Sequence, residues 1–152
     1  RTSSSEATCE LGKVLGNACY PGLTILLHGG LGMGKTQITQ GIGSALGIKR
    51  IKSPTFIIVS EHSGSLPLIH ADLYRLDDFS GVDSLDLESY TESGAVLAVE
   101  WAERWQNPPK EDRWDITISS SEENEMYREI EIKACGTRAA KALSSVLENY
   151  LS

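Results

Sequence analysis

The chain has 152 residues, of which 40% are hydrophobic and 23% are charged, and its formal net charge is −7. This length fits one domain with a single core, and no apolar run approaches the roughly 20 residues of a membrane-spanning helix. The negative charge argues against direct binding to DNA or RNA, which needs clustered Lys and Arg.

The cysteine usage predicts a cytoplasmic protein. The chain has three cysteines, Cys9, Cys19 and Cys135. Their odd number and the lack of C-x-x-C spacing indicate neither a disulfide framework nor a zinc site. No secretory signal is recognisable at the start of the sequence. A reducing compartment fits these features best.

The predicted elements begin with a helix over residues 6–20, because apolar side chains recur on one face at Leu11, Val14, Leu15 and Ala18. Ser5 is a plausible N-cap for this helix, and the polar residues 1–5 predict a disordered start. Residues 23–27 form a short apolar run after Pro21-Gly22, which predicts a buried strand.

A glycine-rich motif follows that strand directly. Residues 29–36 read Gly-Gly-Leu-Gly-Met-Gly-Lys-Thr and fit the phosphate-binding P-loop pattern G-x-x-x-x-G-K-[ST]. Loop N–H groups and the helix N-terminus attract phosphate, while the Lys and Thr of this motif serve the β/γ-phosphates and Mg²⁺. The motif predicts a nucleotide site formed by Gly30, Leu31, Gly32, Met33, Gly34, Lys35, Thr36 and Gln37. We expect Lys35 to be an exposed loop residue, and the alternative is a glycine-rich turn without a ligand.

The remaining elements alternate between helix and strand. A helix follows Thr36 and stops at Gly47, and strands are predicted at residues 56–59, 66–72 and 95–99, with short helices within 76–91. Residues 114–118 and 127–133 alternate and predict an antiparallel hairpin. Thr137 can cap a last helix with an inward face of Ala140, Leu143, Val146, Leu147 and Tyr150. Residues 1–152 therefore predict one α/β domain with a mixed sheet.

Two acidic residues end predicted strands, where a P-loop protein places a carboxylate near the metal. Glu100 follows the apolar run at residues 95–99, and Asp72 ends the strand before it. Glu100 has the stronger setting, because the carboxyl end of a buried parallel strand faces the ligand crevice. The alternative for each is a solvated strand-end acid, and His70 is open between a structural and a functional role.

Thr55 lies in the loop after the P-loop helix, where γ-phosphate-sensing switches occur in P-loop proteins. By itself the Ser-Pro-Thr sequence favours an ordinary turn. No Asn-Lys-x-Asp guanine-reading motif is present, so we expect ATP rather than GTP.

Four blocks in order resemble the TsaE (YjeE) family of small P-loop ATPases, which is implicated in forming threonylcarbamoyladenosine in tRNA. They are residues 29–36, Ser53-Pro54-Thr55-Phe56, the segment from His70 to Arg75, and Glu100-Trp101. The resemblance implies a P-loop NTPase three-layer sandwich, with a mixed, mostly parallel central sheet and a C-terminal antiparallel hairpin.

The resemblance also implies roles at the site. Lys35 would hold phosphate, Thr36 and Glu100 would hold Mg²⁺, and Asp72 would act in the second metal shell or orient the attacking water. Thr55 would line the γ-phosphate side, and Trp101 either packs beside the nucleotide or is a core aromatic. Arg75 would stabilise charge or form a structural salt bridge.

The same resemblance implies an Mg²⁺-dependent ATPase that acts on the TsaD–TsaB complex and meets tRNA only through those partners. A small P-loop kinase and a non-catalytic nucleotide sensor are the alternatives. A kinase usually carries an Arg-rich lid over the phosphates, and here the arginines are spread along the chain without a lid-sized insertion.

Overall fold

A computed structural model of the chain describes residues 2–30, 33–49, 59–73, 85–123 and 127–151. Within these residues, helices and strands alternate in the order expected of an α/β domain. In chain order they are α1 (Ser5–Gly16), β1 (Thr24–His28), α2 (Lys35–Ala45), β2 (Val59–His62), β3 (Leu68–Asp72), α3 (Leu87–Glu92), β4 (Val96–Glu100), a 3-10 turn (Ala102–Arg104), β5 (Arg113–Ser120), β6 (Arg128–Cys135) and α4 (Thr137–Leu151).

The described strands form one six-stranded sheet in the order β2-β3-β4-β1-β5-β6. The four inner strands β3, β4, β1 and β5 run parallel, and β2 and β6 pair antiparallel at the two edges. Parallel strands need cover on both faces and are therefore almost continuously apolar, as in β4, where all five residues are buried. The predicted mixed, mostly parallel sheet and its C-terminal hairpin are confirmed.

Alternate residues of the inner strands enter two separate cores, because successive strand side chains point to opposite faces. Ile25, Leu27 and Ala98 pack with α1, α2 and α4 on one face. Leu26 and Leu97 pack on the other face with residues of α3 and the 3-10 turn. The sheet is thus the middle of three layers, as predicted.

Helices α1 and α2 touch through their backbones at glycines. A Cβ atom on Gly12 would lie 2.4 Å from the Ile38 carbonyl oxygen, and one on Gly41 would lie 2.1 Å from the Cys9 carbonyl oxygen. Only glycine permits this approach. The contact fixes α2, whose N-terminus follows the P-loop, against a second helix.

The start of the chain differs from the sequence-based prediction. Ser4, rather than Ser5, caps α1, and its Oγ accepts a hydrogen bond from the Ala7 backbone N–H at 3.0 Å. Thr2 is buried and exchanges two backbone hydrogen bonds with Arg128, the first residue of β6. Residues 2–5 are therefore part of the fold instead of a disordered start. Helix α1 also ends at Gly16, before the predicted limit at residue 20.

The predicted inward face of the last helix is correct at Leu143 and Leu147, which contribute to the core, but not at Ala140 and Tyr150. Ala139 and Leu143 are buried, whereas Ala140 is exposed and Tyr150 is 40% exposed. The Ala139 carbonyl oxygen accepts a hydrogen bond from the Trp114 indole at 3.0 Å, which anchors this side of α4 to β5. Because neighbouring helix positions differ by about 100°, Ala140 then points away.

Within the described ranges, no helix has the length and apolarity that crossing a membrane requires. The predicted loop and strand at residues 50–58 and most of the predicted helical segment at residues 76–91 lie outside those ranges.

Candidate functional site

The glycine-rich loop joins the carboxyl end of β1 to the start of α2, as predicted. Gly29 and Gly34 have φ values of +151° and +107°, in the region that favours glycine. A Cβ on Gly29 would also lie 2.7 Å from the Ile118 carbonyl oxygen. Between them, the Met33 N–H lies 3.4 Å from the Gly30 carbonyl oxygen. Leu31 and Gly32 lie outside the described residues.

The start of α2 presents groups suited to an anion. Its first backbone N–H groups have no acceptor within the helix, and the helix dipole places partial positive charge there. Thr36 is exposed in this first turn and Gln37 is half-buried. Gly34, the residue before the helix, offers no side chain to cap it. A phosphate group would satisfy these donors.

Lys35 is buried, contrary to the expectation of an exposed loop residue. It is 5% exposed, and its Nζ donates a hydrogen bond to the Gly29 carbonyl oxygen at 2.8 Å. The same ammonium lies 3.9 Å from the centre of the Trp101 ring, close enough for a cation–π interaction. The side chain thus turns back across the loop, and its charge lies between the Gly29 carbonyl and the ring of Trp101, which follows β4.

Trp101 follows β4 in a left-handed backbone conformation, with φ 57° and ψ 44°. This region is uncommon for a residue with a large side chain. The turn brings its ring over Lys35, and the ring also packs against the core on the far face of the sheet. The contact with the loop lysine fits a position beside the nucleotide, and the contact with the core fits a core aromatic. Trp101 therefore combines features of both predicted alternatives.

Asp72 and Glu100 end adjacent parallel strands and are directly paired in register. Glu100 is also in register with Leu27 of β1, one residue before His28. The two acids therefore lie at the strand edge from which the glycine-rich loop departs. Glu100 is 5% exposed and Asp72 is half-buried.

Glu100 contacts a buried histidine. The His70 Nε2 atom lies 2.5 Å from Glu100 Oε2, and the His70 side chain is 1% exposed. The sequence carries a partial signal for this contact. Because strand side chains alternate between faces, His70 lies on the same face of β3 as Asp72 and so points to the side of the strand-end acids. That signal could not by itself show which acid His70 contacts.

The structure therefore brings Lys35, Trp101, Glu100 and Asp72 to one edge of the sheet, beside the loop. Thr55 and Arg75 lie outside the described residues. Among the described residues, no cluster of three or more His, Cys, Asp or Glu side chains could hold a metal ion. Mg²⁺ does not need one, because it commonly binds through one or two carboxylates plus substrate phosphates and water.

The fold has three layers around a mostly parallel sheet, with a glycine-rich loop between β1 and α2. A lysine in that loop and an acid at the end of a neighbouring strand complete the site. These features define the class of P-loop NTPase-like proteins. The family "Threonylcarbamoyl adenosine biosynthesis protein TsaE" matches residues 2–130 of the chain. The chain belongs to the TsaE family.

Individual relatives agree with this assignment. The chain is 39% identical over 140 residues to the TsaE protein of Bacillus subtilis, covering 91% of this chain and 86% of that protein. It is 35% identical over 145 residues to the TsaE protein of Streptomyces coelicolor, covering 91% and 97%. The crystal structure of Bacillus subtilis YdiB superposes with a TM-score of 0.80 at 33% identity, covering 97% of this chain and 92% of that chain.

Proposed function

We propose that the protein binds ATP with Mg²⁺ at the glycine-rich loop and hydrolyses it as a cytoplasmic accessory protein of tRNA threonylcarbamoyladenosine formation. The observation that carries this proposal is the contact of the Lys35 ammonium with the ring of Trp101, the residue that directly follows Glu100 at the end of β4. The relatives named above carry threonylcarbamoyladenosine biosynthesis in their names. The TsaD–TsaB complex is the proposed partner.

In this proposal Lys35 exchanges its present hydrogen bond to the Gly29 carbonyl for the β- and γ-phosphates of ATP. The phosphates then occupy the N-terminus of α2, where Gly34, Lys35 and Thr36 offer backbone N–H groups. The same exchange would change the surroundings of the Lys35 ammonium, which now lies 3.9 Å from the centre of the Trp101 ring. Nucleotide binding and the surroundings of Trp101 are therefore coupled.

Thr36 and Glu100 are the proposed ligands of Mg²⁺, through a hydroxyl and a carboxylate oxygen. The bound cation would neutralise negative charge that develops on the phosphates. Asp72, next to Glu100 in the sheet, is proposed to orient the attacking water or to hold a water in the metal shell. Thr55 is proposed to line the γ-phosphate side.

The proposed link to tRNA is indirect. The net charge of −7 opposes binding to a polyphosphate backbone. The proposed partner complex would hold the tRNA, and this protein would supply ATP turnover to it.

Calorimetric titration with ATP and with GTP, in the presence of Mg²⁺, tests nucleotide binding directly. We expect saturable binding of ATP and weaker binding of GTP. Labelled γ-phosphate should be released to water when the partners are present. Failure to bind either nucleotide would contradict the proposal, and transfer of the label to a small metabolite would favour a kinase.

A further inference from the structure

His70 is a buried imidazole beside the proposed metal ligand Glu100. It lies in the middle of β3, and the parallel pairing of β3 with β4 places it next to Ala98, two residues before Glu100. The His70 side chain is 1% exposed and the Glu100 side chain 7% exposed, so solvent screens their contact little. The His70 Nε2 atom lies within hydrogen-bond distance of Glu100 Oε2.

The direction of this hydrogen bond follows from the chemistry of the two groups. An ionised carboxylate can only accept, so the His70 Nε2–H donates to Glu100. In the neutral imidazole with its proton on Nε2, Nδ1 is an acceptor. The His70 Nδ1 atom is buried without a hydrogen-bond partner among the described residues.

That unpartnered nitrogen argues against a purely structural histidine. A buried polar atom costs free energy when it makes no hydrogen bond, and an apolar side chain of similar size would avoid this cost. The neighbouring buried positions Leu68, Ala71 and Ala98 are all apolar. Packing of this sheet therefore does not explain an imidazole at position 70, whereas its contact with Glu100 does.

We propose that His70 is a positioning residue, whose Nε2–H holds Glu100 Oε2 so that the other carboxylate oxygen would be available to bind Mg²⁺. This inference rests on the proposed function. Carboxylates that bind metals are themselves commonly hydrogen-bonded, and loss of such a bond typically lowers metal affinity about 10- to 100-fold. His70 would touch neither ATP nor Mg²⁺.

The test compares His70→Leu, which removes the donor, with His70→Gln, whose side-chain amide can donate near the original Nε2 position. Mn²⁺ affinity in the presence of ATP, measured by electron paramagnetic resonance, is the main readout. We expect about a tenfold or larger loss for His70→Leu and substantial rescue by His70→Gln. ATP affinity measured in excess chelator should be unchanged in both variants.

Thr24→Val is the matched control, because the Thr24 Oγ1 is likewise buried without a hydrogen-bond partner among the described residues. It removes a polar atom from the same sheet and should leave Mn²⁺ affinity unchanged. If His70→Leu does not fold, His70→Asn replaces it, since the shorter amide does not reach Glu100.

Wild-type Mn²⁺ affinity in a folded variant without the donor would overturn the inference, and so would equal losses in the Leu and Gln variants. A wild-type protein that binds no ATP even in the presence of Mg²⁺ would instead contradict the proposed function. The two failures are therefore distinguishable.

Discussion

Lys35 is the residue on which the proposed phosphate contact depends most directly. Hydrogen bonds from a charged group contribute about 1.5–3 kcal/mol, so Lys35→Ala should weaken ATP binding about 10- to 100-fold. Calorimetric titration measures this loss. Lys133→Ala is the control, because the Lys133 side chain is 73% exposed and pairs with Glu131 at the surface. Wild-type ATP affinity in folded Lys35→Ala would contradict the assignment of the loop.

The burial of Lys35 adds a consequence for stability that its motif does not predict. Removing the side chain deletes the hydrogen bond to Gly29 and the contact with the Trp101 ring, but it also removes a buried charge. These effects oppose each other. Thermal unfolding of Lys35→Ala should therefore remain cooperative, with a midpoint close to that of the wild type.

Substitutions of Glu100 and Asp72 should lower the rate of ATP turnover more than they lower nucleotide affinity, since the proposed roles of these residues concern Mg²⁺ and water. Glu100→Ala should cause the larger loss of phosphate release in the presence of the partners. Glu100→Gln should be tested beside it, because Glu100→Ala leaves the buried His70 Nε2 without its acceptor and so affects stability as well. If Glu100→Gln and Asp72→Ala, tested as separate variants, both hydrolysed ATP at the wild-type rate, the proposed metal site would be contradicted.

The raised pKa values of two groups away from the site lead us to expect a loss of stability at alkaline pH. Burial raises the pKa of the Cys19 thiol from 9.0 to about 12, and burial with a hydrogen bond to Asp112 raises the pKa of Tyr20. Both groups hold their protons more tightly in the folded chain than in the unfolded chain. Unfolding therefore releases protons, and stability should fall as the pH rises above about 9.

Urea unfolding at pH 8 and pH 10 measures this effect. The double variant Cys19→Ala, Tyr20→Phe should lose less stability between the two pH values than the wild type does. An equal loss in both proteins would show that other groups control the alkaline limb.

At the scale of elements, the glycine contact between α1 and α2 holds the helix on which the loop depends. Gly41→Ala would place a methyl group 2.1 Å from the Cys9 carbonyl oxygen, and backbone must move to admit it. Overpacking of this kind costs about 1–3 kcal/mol. A domain of this size should then lose roughly 2–10 °C in its unfolding midpoint.

Ser44→Ala on the exposed side of α2 is the matched control, and its midpoint should shift little. Calorimetry of the two variants compares them under identical conditions. A midpoint of Gly41→Ala equal to that of Ser44→Ala would show that the helices separate without cost.

Local sequence patterns predicted the elements whose signals are contained in short segments. The apolar runs at residues 23–27 and 95–99 correspond to β1 and β4, and the alternation at residues 114–118 and 127–133 corresponds to the β5–β6 hairpin. The strand-to-helix setting of the glycine-rich loop follows from the same signals. The acids at strand ends were predicted to approach this loop because parallel strands share a carboxyl edge.

Features set by contacts between distant segments were not predictable in this way. Gly12 and Gly41 weaken isolated helices, and only the packed pair shows why glycine is needed there. Lys35 contacts the ring of Trp101, whose left-handed backbone has no clear signal in the sequence. The inward side of α4 at Ala139 is held by a hydrogen bond from Trp114, 25 residues away.

At the scale of the whole molecule, we expect hydrolysis to depend on partners. P-loop proteins often order a separate segment over the γ-phosphate before hydrolysis proceeds. Ordering by a partner requires ATP and the partner to strengthen each other's binding, because linkage between two sites is reciprocal. Partner affinity should therefore be higher with ATP than without nucleotide, as measured by surface plasmon resonance with immobilised TsaD–TsaB.

Steady-state phosphate release, measured with and without the TsaD–TsaB complex, tests the proposed function most directly. We predict slow release by the protein alone and at least a tenfold increase with the partners, which corresponds to only about 1.4 kcal/mol of activation free energy. Lys35→Ala should remove the increase. Equal rates with and without partners, or stimulation that survives in folded Lys35→Ala, would contradict ATP hydrolysis at this loop in the service of that complex.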